Sequence, residues 1–153
     1  MTYQENYQKW VDFADLPDYL RQDLENMDEK TKEDAFYTNL EFGTAGMRGL
    51  IGAGTNRINI YVVRQATEGL ARLIESKGGN EKERGVAIAY DSRHFSPEFA
   101  FESAAVLAKH GIKSYVFESL RAKVRKIGIP PATLASYIKS HFLLAAKLTQ
   151  STS

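Results

Sequence analysis

Between residues 3 and 37, apolar residues recur at three- and four-residue steps, which is the spacing of one helix face. The positions that carry this pattern are Trp10, Phe13, Leu16, Leu20 and Leu24. The pattern predicts a helical hairpin that packs its apolar side on a domain. Asp15, just before Leu16-Pro17, is typical of an N-cap followed by proline in the first turn.

Further along the chain, the pattern predicts helices alternating with short buried strands. A helix over 60–76 is capped by Asn59 and ended by Gly78-Gly79. Apolar runs at 85–90 and 112–117 are typical of strands, with a helix between them that starts at Ser96 as N-cap. Strand, helix and strand in this order predict a βαβ unit with parallel pairing.

The loop after the first of these strands carries polar side chains. Ligands of parallel sheets bind at the carboxyl ends of the strands, which places Asp91, Ser92, Arg93 and His94 at the ligand edge. Two alternatives stay open. Asp91 and Arg93 would instead cap and brace the loop, and His94 would be a hydrogen-bonded loop residue rather than a general base.

A glycine-rich segment lies before the helices. Gly43, Gly46, Gly49, Gly52 and Gly54 fall within twelve residues, too many for a stable helix. Arg48 is the only charged residue among them, and with Thr44 and Gly46 it forms a candidate phosphate-binding group. The alternative is a tight β-hairpin with a surface arginine. The spacing of Gly43, Gly46 and Gly49 differs from the dinucleotide fingerprint, which disfavours dinucleotide binding, and the Gly-Lys-Ser/Thr of a P-loop does not occur.

Composition limits the class of protein. The chain has 153 residues, 43% apolar and 25% charged, which indicates one compact domain. Without cysteine there is no thiolate nucleophile or thiolate metal site. The three histidines lack metal-ligand spacing, so no metal site is predicted. No apolar run approaches a membrane span and no signal peptide is evident, so we expect a cytoplasmic protein.

The net charge of +1 conceals an asymmetry. Residues 1–118 hold 14 basic and all 19 acidic residues, whereas residues 119–153 hold six basic residues and no acid. Such a tail can bind nucleic acid or membrane, but it lacks aromatic interleaving, so neither partner is expected. The tail also predicts a helix from Pro131, with Leu134, Ile138 and Phe142/Leu143 on one apolar face. Two roles for that face stay open: it would cover apolar surface left by missing partner strands, or it would promote self-association.

Four segments, in order, resemble the N-terminal domain I of the α-D-phosphohexomutases of the phosphoglucomutase/phosphomannomutase type. They are residues 41–49, 56–61 together with 66–71, 87–96 and 111–117, and the resemblance covers about residues 7–121. It implies an α/β fold with a mixed, mostly parallel sheet flanked by helices, to which a helical C-terminal tail is added. The expected organisation is a domain over 1–121 with a helical extension over 1–38, then a tail over 122–153.

The resemblance implies a carbohydrate isomerase that is an intramolecular phosphotransferase. Such enzymes interconvert hexose 1- and 6-phosphates through a phosphorylated serine, with Mg²⁺ neutralising charge. In the family, the arginine that matches Arg48 lies in the active site near that phosphoserine. The substrate is a hexose phosphate, and glucose, mannose and pentose phosphates are not distinguished.

After Arg121 the sequence departs from the family. No Ser-His-Asn-Pro segment and no Asp-Gly-Asp-x-Asp-Arg metal motif occurs. We therefore expect a chain truncated before the catalytic serine, inactive alone and without bound Mg²⁺, whose residues 122–153 come from rejoined coding sequence. The alternative is a non-enzymatic module that binds anions or self-associates.

Overall fold

A computed structural model describes residues 1–43 and 46–116 of the chain. The described residues divide into two compact units, a first unit of Met1–Val62 and a second unit that begins at Val63. The predicted tail helix and its role in self-association lie outside the described residues. No helix within the described ranges combines the length and the apolar character that crossing a membrane requires.

Three short helices open the first unit. They are α1(Tyr3–Val11), α2(Asp18–Glu25) and α3(Glu29–Phe36). The helical character of this region is confirmed, with three helices in place of a hairpin. Thr2 begins α1 with a capping box to Glu5, and the Asp28 side chain accepts a hydrogen bond from the Thr31 N–H at 2.8 Å.

The N-cap predicted at Asp15 is wrong. Helix α2 begins at Asp18, with Pro17 at the N-cap position and no side-chain cap. The residue before a proline disfavours helical backbone, so Leu16 cannot continue a helix that starts at Asp15. The buried side chain of Leu16 instead joins the core of the first unit.

The apolar stripe of these helices forms the core of the first unit. Edge-on aromatic contacts extend it, since the ring of Phe36 lies 5.5 Å from that of Tyr7 and 5.7 Å from that of Trp10. The buried members are Leu16, Leu20, Leu24, Ala35, Phe36 and Ala53. The glycine-rich segment contributes Ala53 to this core and is thereby attached to the helices.

The hairpin and the long helix follow. Strands β1(Phe42–Gly43) and β2(Gly46–Met47) pair antiparallel. Helix α4(Ile60–Lys77) begins where Asn59 Oδ1 accepts hydrogen bonds from the N–H groups of Tyr61 and Val62 at 3.1 and 3.0 Å. Both the Asn59 cap and the glycine stop are confirmed, since Gly78 and Gly79 have φ of 67° and 64°.

The βαβ unit of the second unit is confirmed. After α5(Glu81–Arg84) come β3(Val86–Ile88), α6(Ser96–Lys109) and β4(Ser114–Val116). Strands β3 and β4 pair in parallel with Ala87 opposite Tyr115. Both are shorter than the predicted runs. Their core consists of Ala71, Ile74, Val86, Ile88, Ala100, Leu107 and Ile112.

Ser96 is not the N-cap of α6, contrary to the prediction. The N-cap is Phe95, in the left-handed conformation with φ of 63°, and Pro97 follows in the first turn. The hydroxyl of Ser96 turns back into the loop and accepts a hydrogen bond from the Asp91 N–H at 3.2 Å. The serine therefore closes the loop that precedes the helix.

The described elements show a mixed α/β fold. One described strand pair is antiparallel and the other parallel, and the two belong to separate two-stranded sheets. The α/β class is confirmed on these elements. A mostly parallel sheet remains a prediction.

Candidate functional site

The glycine-rich segment forms a tight hairpin. Phe42 pairs with Met47 and Gly43 with Gly46, and the turn between them, with Thr44, lies outside the described residues. Met47 is buried and fixes one strand, whereas Phe42 is exposed. Gly46 has a φ of 93°, which favours glycine at that position. The backbone of this segment is therefore the predicted hairpin. The hairpin alone does not show what Arg48 binds.

Arg48 directly follows the second hairpin strand. Its side chain is exposed, and no described residue forms a hydrogen bond or ion pair with its guanidinium. A guanidinium carries five N–H donors in a planar fork suited to phosphate or carboxylate. The structure therefore presents this fork to solvent, as an anion-binding role requires.

Two polar side chains from elsewhere in the first unit brace the loop after Arg48. The Asp23 carboxylate accepts a hydrogen bond from the Ala53 N–H at 2.6 Å. The Asn59 amide donates to the carbonyl oxygens of Gly52 and Gly54, both at 2.9 Å. Sequence reasoning missed the role of Asp23, because thirty residues separate it from the loop. The glycine segment is therefore braced by Asp23, which is distant in sequence, and by the nearby Asn59.

The loop after β3 is braced by Asp91 and Arg93. The Asp91 carboxylate accepts hydrogen bonds from the Arg93 N–H at 3.0 Å and from its Nε at 2.7 Å. Burial on its own raises the pKa of Asp91, but the hydrogen bonds from Arg93 outweigh it and bring that pKa below its ordinary value. The structure thus brings these two predicted site residues together, and they form an ion pair with each other.

His94 lies on the exposed side of the same loop. Its ring centroid is 4.2 Å from that of Phe95, whose own ring stacks on Phe99 at 5.9 Å. The left-handed backbone at Phe95, rare for an aromatic residue, marks a local strain. Arg48 and Gly46 belong to the first unit, and Asp91, Arg93 and His94 to the second.

A second polar cluster, at the C-terminal end of α6, was not singled out by the sequence. His110 Nε2 lies 2.8 Å from a Glu68 carboxylate oxygen, and His110 Nδ1 lies 3.2 Å from one of Glu75. Lys82 Nζ lies 3.0 Å from the same Glu75 oxygen and donates to the His110 carbonyl at 2.8 Å. The hydrogen bonds to Glu68 and then Glu75 raise the pKa of His110.

Over the described ranges, no three side chains of histidine, aspartate or glutamate converge in a way that would hold a metal ion. Among the described residues there is therefore no cluster to which the Mg²⁺ implied by the family resemblance can be assigned.

Comparison with known proteins identifies the family to which the chain belongs. The family model described as phosphoglucomutase/phosphomannomutase, alpha/beta/alpha domain I, matches residues 39–137. The matched range contains the hairpin, Arg48 and the loop after β3. It also extends past Arg121, so the predicted boundary at that residue stays a prediction.

Curated relatives agree with this match. The chain is 36% identical to a phosphoglucomutase of Staphylococcus epidermidis over 112 residues, 73% of this chain and 20% of the relative. It is 33% identical to a phosphopentomutase of Mus musculus over 117 residues, 72% of this chain and 17% of the relative.

A third relative is a probable phosphoribomutase of Schizosaccharomyces pombe, 38% identical over 93 residues, which are 61% of this chain and 16% of the relative. The chain spans about a fifth of the length of the curated relatives that it matches. No solved structure matches it significantly. On the match over residues 39–137, the chain belongs to the phosphoglucomutase/phosphomannomutase family, and its matched part is domain I.

Proposed function

We propose that the chain provides the domain I part of a phosphohexomutase, an intramolecular phosphotransferase that interconverts hexose 1- and 6-phosphates in the cytoplasm. The observation that carries the proposal is the family match over residues 39–137, which includes the exposed guanidinium of Arg48, with which no described residue forms an ion pair. Glucose 1-phosphate is the proposed substrate, and ribose 1-phosphate is the competing one, since relatives named for pentose phosphates also match.

In this proposal Arg48 binds a phosphoryl group of the substrate or of the phosphorylated serine. Phosphoryl transfer depends on positioning and on neutralising charge, and a bidentate guanidinium supplies both. The bonds from Asp23 and Asn59 keep the loop after Arg48 in place before the substrate arrives. Gly46 and Thr44 would add backbone N–H donors. In the second unit, Asp91 and Arg93 brace the loop after β3, and the exposed His94 of that loop is a separate candidate for ligand contact.

We expect the purified 153-residue chain to be inactive alone. The sequence contains neither the serine segment nor the metal motif of the family. Without a nucleophile and a charge-neutralising metal, the main contributions to rate are missing. A coupled assay with glucose 1-phosphate and Mg²⁺ should therefore give no turnover above the enzyme-free blank. Sustained turnover that scales with chain concentration would overturn this expectation.

A chimera tests the role of Arg48 in an active enzyme. The 112 matched residues of this chain replace their counterparts in the Staphylococcus epidermidis phosphoglucomutase. We expect turnover of glucose 1-phosphate, and a fall in kcat/KM of roughly 100-fold or more for Arg48→Ala. Arg72→Ala is the control, since this arginine is exposed on α4 and pairs with Glu68. An equal fall in kcat/KM in both variants would show that Arg48 is not part of the active site.

The second candidate is a non-enzymatic module that binds anions, which the exposed guanidinium of Arg48 also favours. Inorganic phosphate titrated into the chain, followed by NMR, separates the cases. Saturable binding that is lost in Arg48→Ala and kept in Arg72→Ala, together with an inactive chimera, supports the module. Self-association through the tail is tested by sedimentation of the chain and of Ile138→Glu over a range of concentrations.

A further inference from the structure

The first unit contains an apolar pocket that the phosphate chemistry does not use. It has a volume of about 280 Å³ and is lined by Lys9, Trp10, Phe13, Leu16 and Tyr61. This volume is close to the lower end of the range for small-molecule sites. Phe13 remains 44% exposed although it is a large apolar side chain. Such exposure beside a concave apolar surface is typical of a binding site.

Three aromatic rings give the pocket its shape. The ring of Tyr61 lies 5.5 Å from that of Trp10 at an interplanar angle of 78°, and 5.7 Å from that of Phe13 at 87°. Because these pairs are edge-to-face, the three rings that line the pocket lie in different planes. An aromatic guest can then make offset or edge contacts of the kind that stabilise aromatic pairs. The lining therefore favours a planar ring.

Lys9 adds a positive charge to the pocket. Among the described residues, its ammonium has a single hydrogen-bond partner, the sulfur of Met1 at 3.0 Å. A thioether is a weak, neutral acceptor and does not compensate the charge. The methylene groups of a lysine can line an apolar wall while its ammonium stays in water at the rim. An anionic group of a ligand would find its counter-charge there.

The net negative charge of residues 1–38 limits how many negative charges such a ligand can carry. Residues 1–38 contain ten acidic and four basic residues. Their excess negative charge repels an approaching polyanion, and this repulsion is only partly screened at physiological ionic strength. A singly charged group can still pair with Lys9 at short range. Sugar phosphates, with two negative charges and no apolar ring, fit the pocket poorly.

We propose that this pocket binds a small aromatic monocarboxylate, with the ring among Trp10, Phe13 and Tyr61 and the carboxylate on Lys9. The site is independent of the phosphate site proposed at Arg48. Trp10 is the only tryptophan of the chain, so its fluorescence is a direct reporter of the pocket.

The probe is 3-phenylpropionate, titrated into the full chain with 3-phenylpropionamide as the neutral comparison. We expect a saturable change in Trp10 emission with a dissociation constant on the order of 1 mM or below. The amide should bind about three- to fivefold more weakly, which is the contribution of one exposed ion pair. Lys9→Gln should remove that difference, and Lys30→Gln, an exposed lysine of α3, should preserve it.

Two further variants separate an effect on the pocket from an effect on folding. Phe13→Ala, checked by circular dichroism, should weaken acid and amide alike, and Arg48→Ala should leave both unchanged. Equal affinity for acid and amide would overturn the proposal, as would binding that Lys9→Gln or Phe13→Ala does not alter. An emission that shows no saturable change up to about 20 mM probe would also overturn it.

Discussion

Gly85 is a position at which one added methyl group would be costly. Its φ is 77°, and a Cβ built there would lie 2.5 Å from the Lys113 carbonyl oxygen. Gly85→Ala would thus combine a disfavoured backbone conformation with a steric clash. The clash is with the Lys113 carbonyl, which accepts a hydrogen bond from the Val86 N–H. We expect a loss of about 2 kcal/mol or more in the free energy of unfolding, measured by urea denaturation.

Gly69 provides the matched control within the same unit. It lies in helix α4, and a Cβ built there meets no atom within 4 Å. Alanine is a better helix former than glycine, so Gly69→Ala should stabilise the chain by about 0.5 to 1 kcal/mol. Similar effects of the two substitutions would contradict the geometry described for Gly85.

Single residues also show where sequence reasoning stops. The spacing of glycines around Arg48 predicted either a hairpin or an anion loop, and the hairpin is present with the arginine exposed. The bond from Asp23 to the Ala53 N–H was not predicted. A carboxylate on a helix surface gives no local sign of a partner thirty residues away, since only the fold brings them together.

At the scale of elements, His110 joins α6 to α4 through two carboxylates. Both of its ring nitrogens face a carboxylate oxygen, Nε2 that of Glu68 and Nδ1 that of Glu75. A neutral imidazole has only one N–H to donate, so both bonds require the protonated ring. The hydrogen bonds to Glu68 and Glu75 raise the pKa of His110, and the bond to His110 lowers the pKa of Glu68.

The direction of the pH dependence follows from these shifts. A raised histidine pKa contributes stability below the unfolded value of about 6.5, and this is lost as pH rises through the folded pKa. The lowered pKa of Glu68 contributes stability above about 4.3, lost as pH falls through its folded pKa. Between these values both groups are charged and the cluster is most stabilising.

His110→Gln tests this dependence. The variant should lose most stability relative to the unchanged chain near pH 5.5, and the difference should shrink as pH rises above the His110 pKa. Urea unfolding at pH 5.5, 7 and 9 measures it. Lys109→Gln removes an adjacent charge that makes no ion pair within the described ranges, and its effect should stay constant over this range. A His110→Gln difference that grows with pH would contradict the assignment.

The helix ends were predicted correctly where they depend on residues close in sequence. Asn59 caps α4 through N–H groups two and three residues away, and Gly78 ends that helix by its own backbone conformation. Both were correctly predicted from short motifs. Ser96 failed as a cap because its hydroxyl serves the Asp91 N–H in the loop. That competing bond depends on the loop conformation, which the local sequence does not determine.

At the scale of the whole molecule, the fold class and the βαβ order could be predicted because they depend on periodicity and chain order. The Trp10 pocket and the His110 cluster could not. Each assembles side chains from elements that are separated in sequence, and each depends on the angles at which those elements pack. Family membership indicates domain I, but it does not identify these surfaces, because only Tyr61 of the pocket and Glu68 of the cluster lie in the motifs that carry the resemblance.

We expect core packing in the second unit to contribute a large part of its stability. Leu107 is fully buried in the cluster that joins α6 to β3, whereas Phe101, on the same helix, is 60% exposed. Leu107→Ala should cost about 2 to 5 kcal/mol, through lost burial and the cavity left behind. That is a large share of the roughly 5 to 15 kcal/mol typical of a domain.

Phe101→Ala should change stability by only about 0.5 kcal/mol, because most of that ring already contacts water. Urea denaturation followed by circular dichroism compares the two variants under the same conditions. The comparison isolates burial, since both substitutions remove a large apolar side chain from one helix. If Phe101→Ala costs as much as Leu107→Ala, then Phe101 is covered by a surface outside the described residues or by a second copy. Sedimentation of the Phe101→Ala variant would then distinguish those two cases.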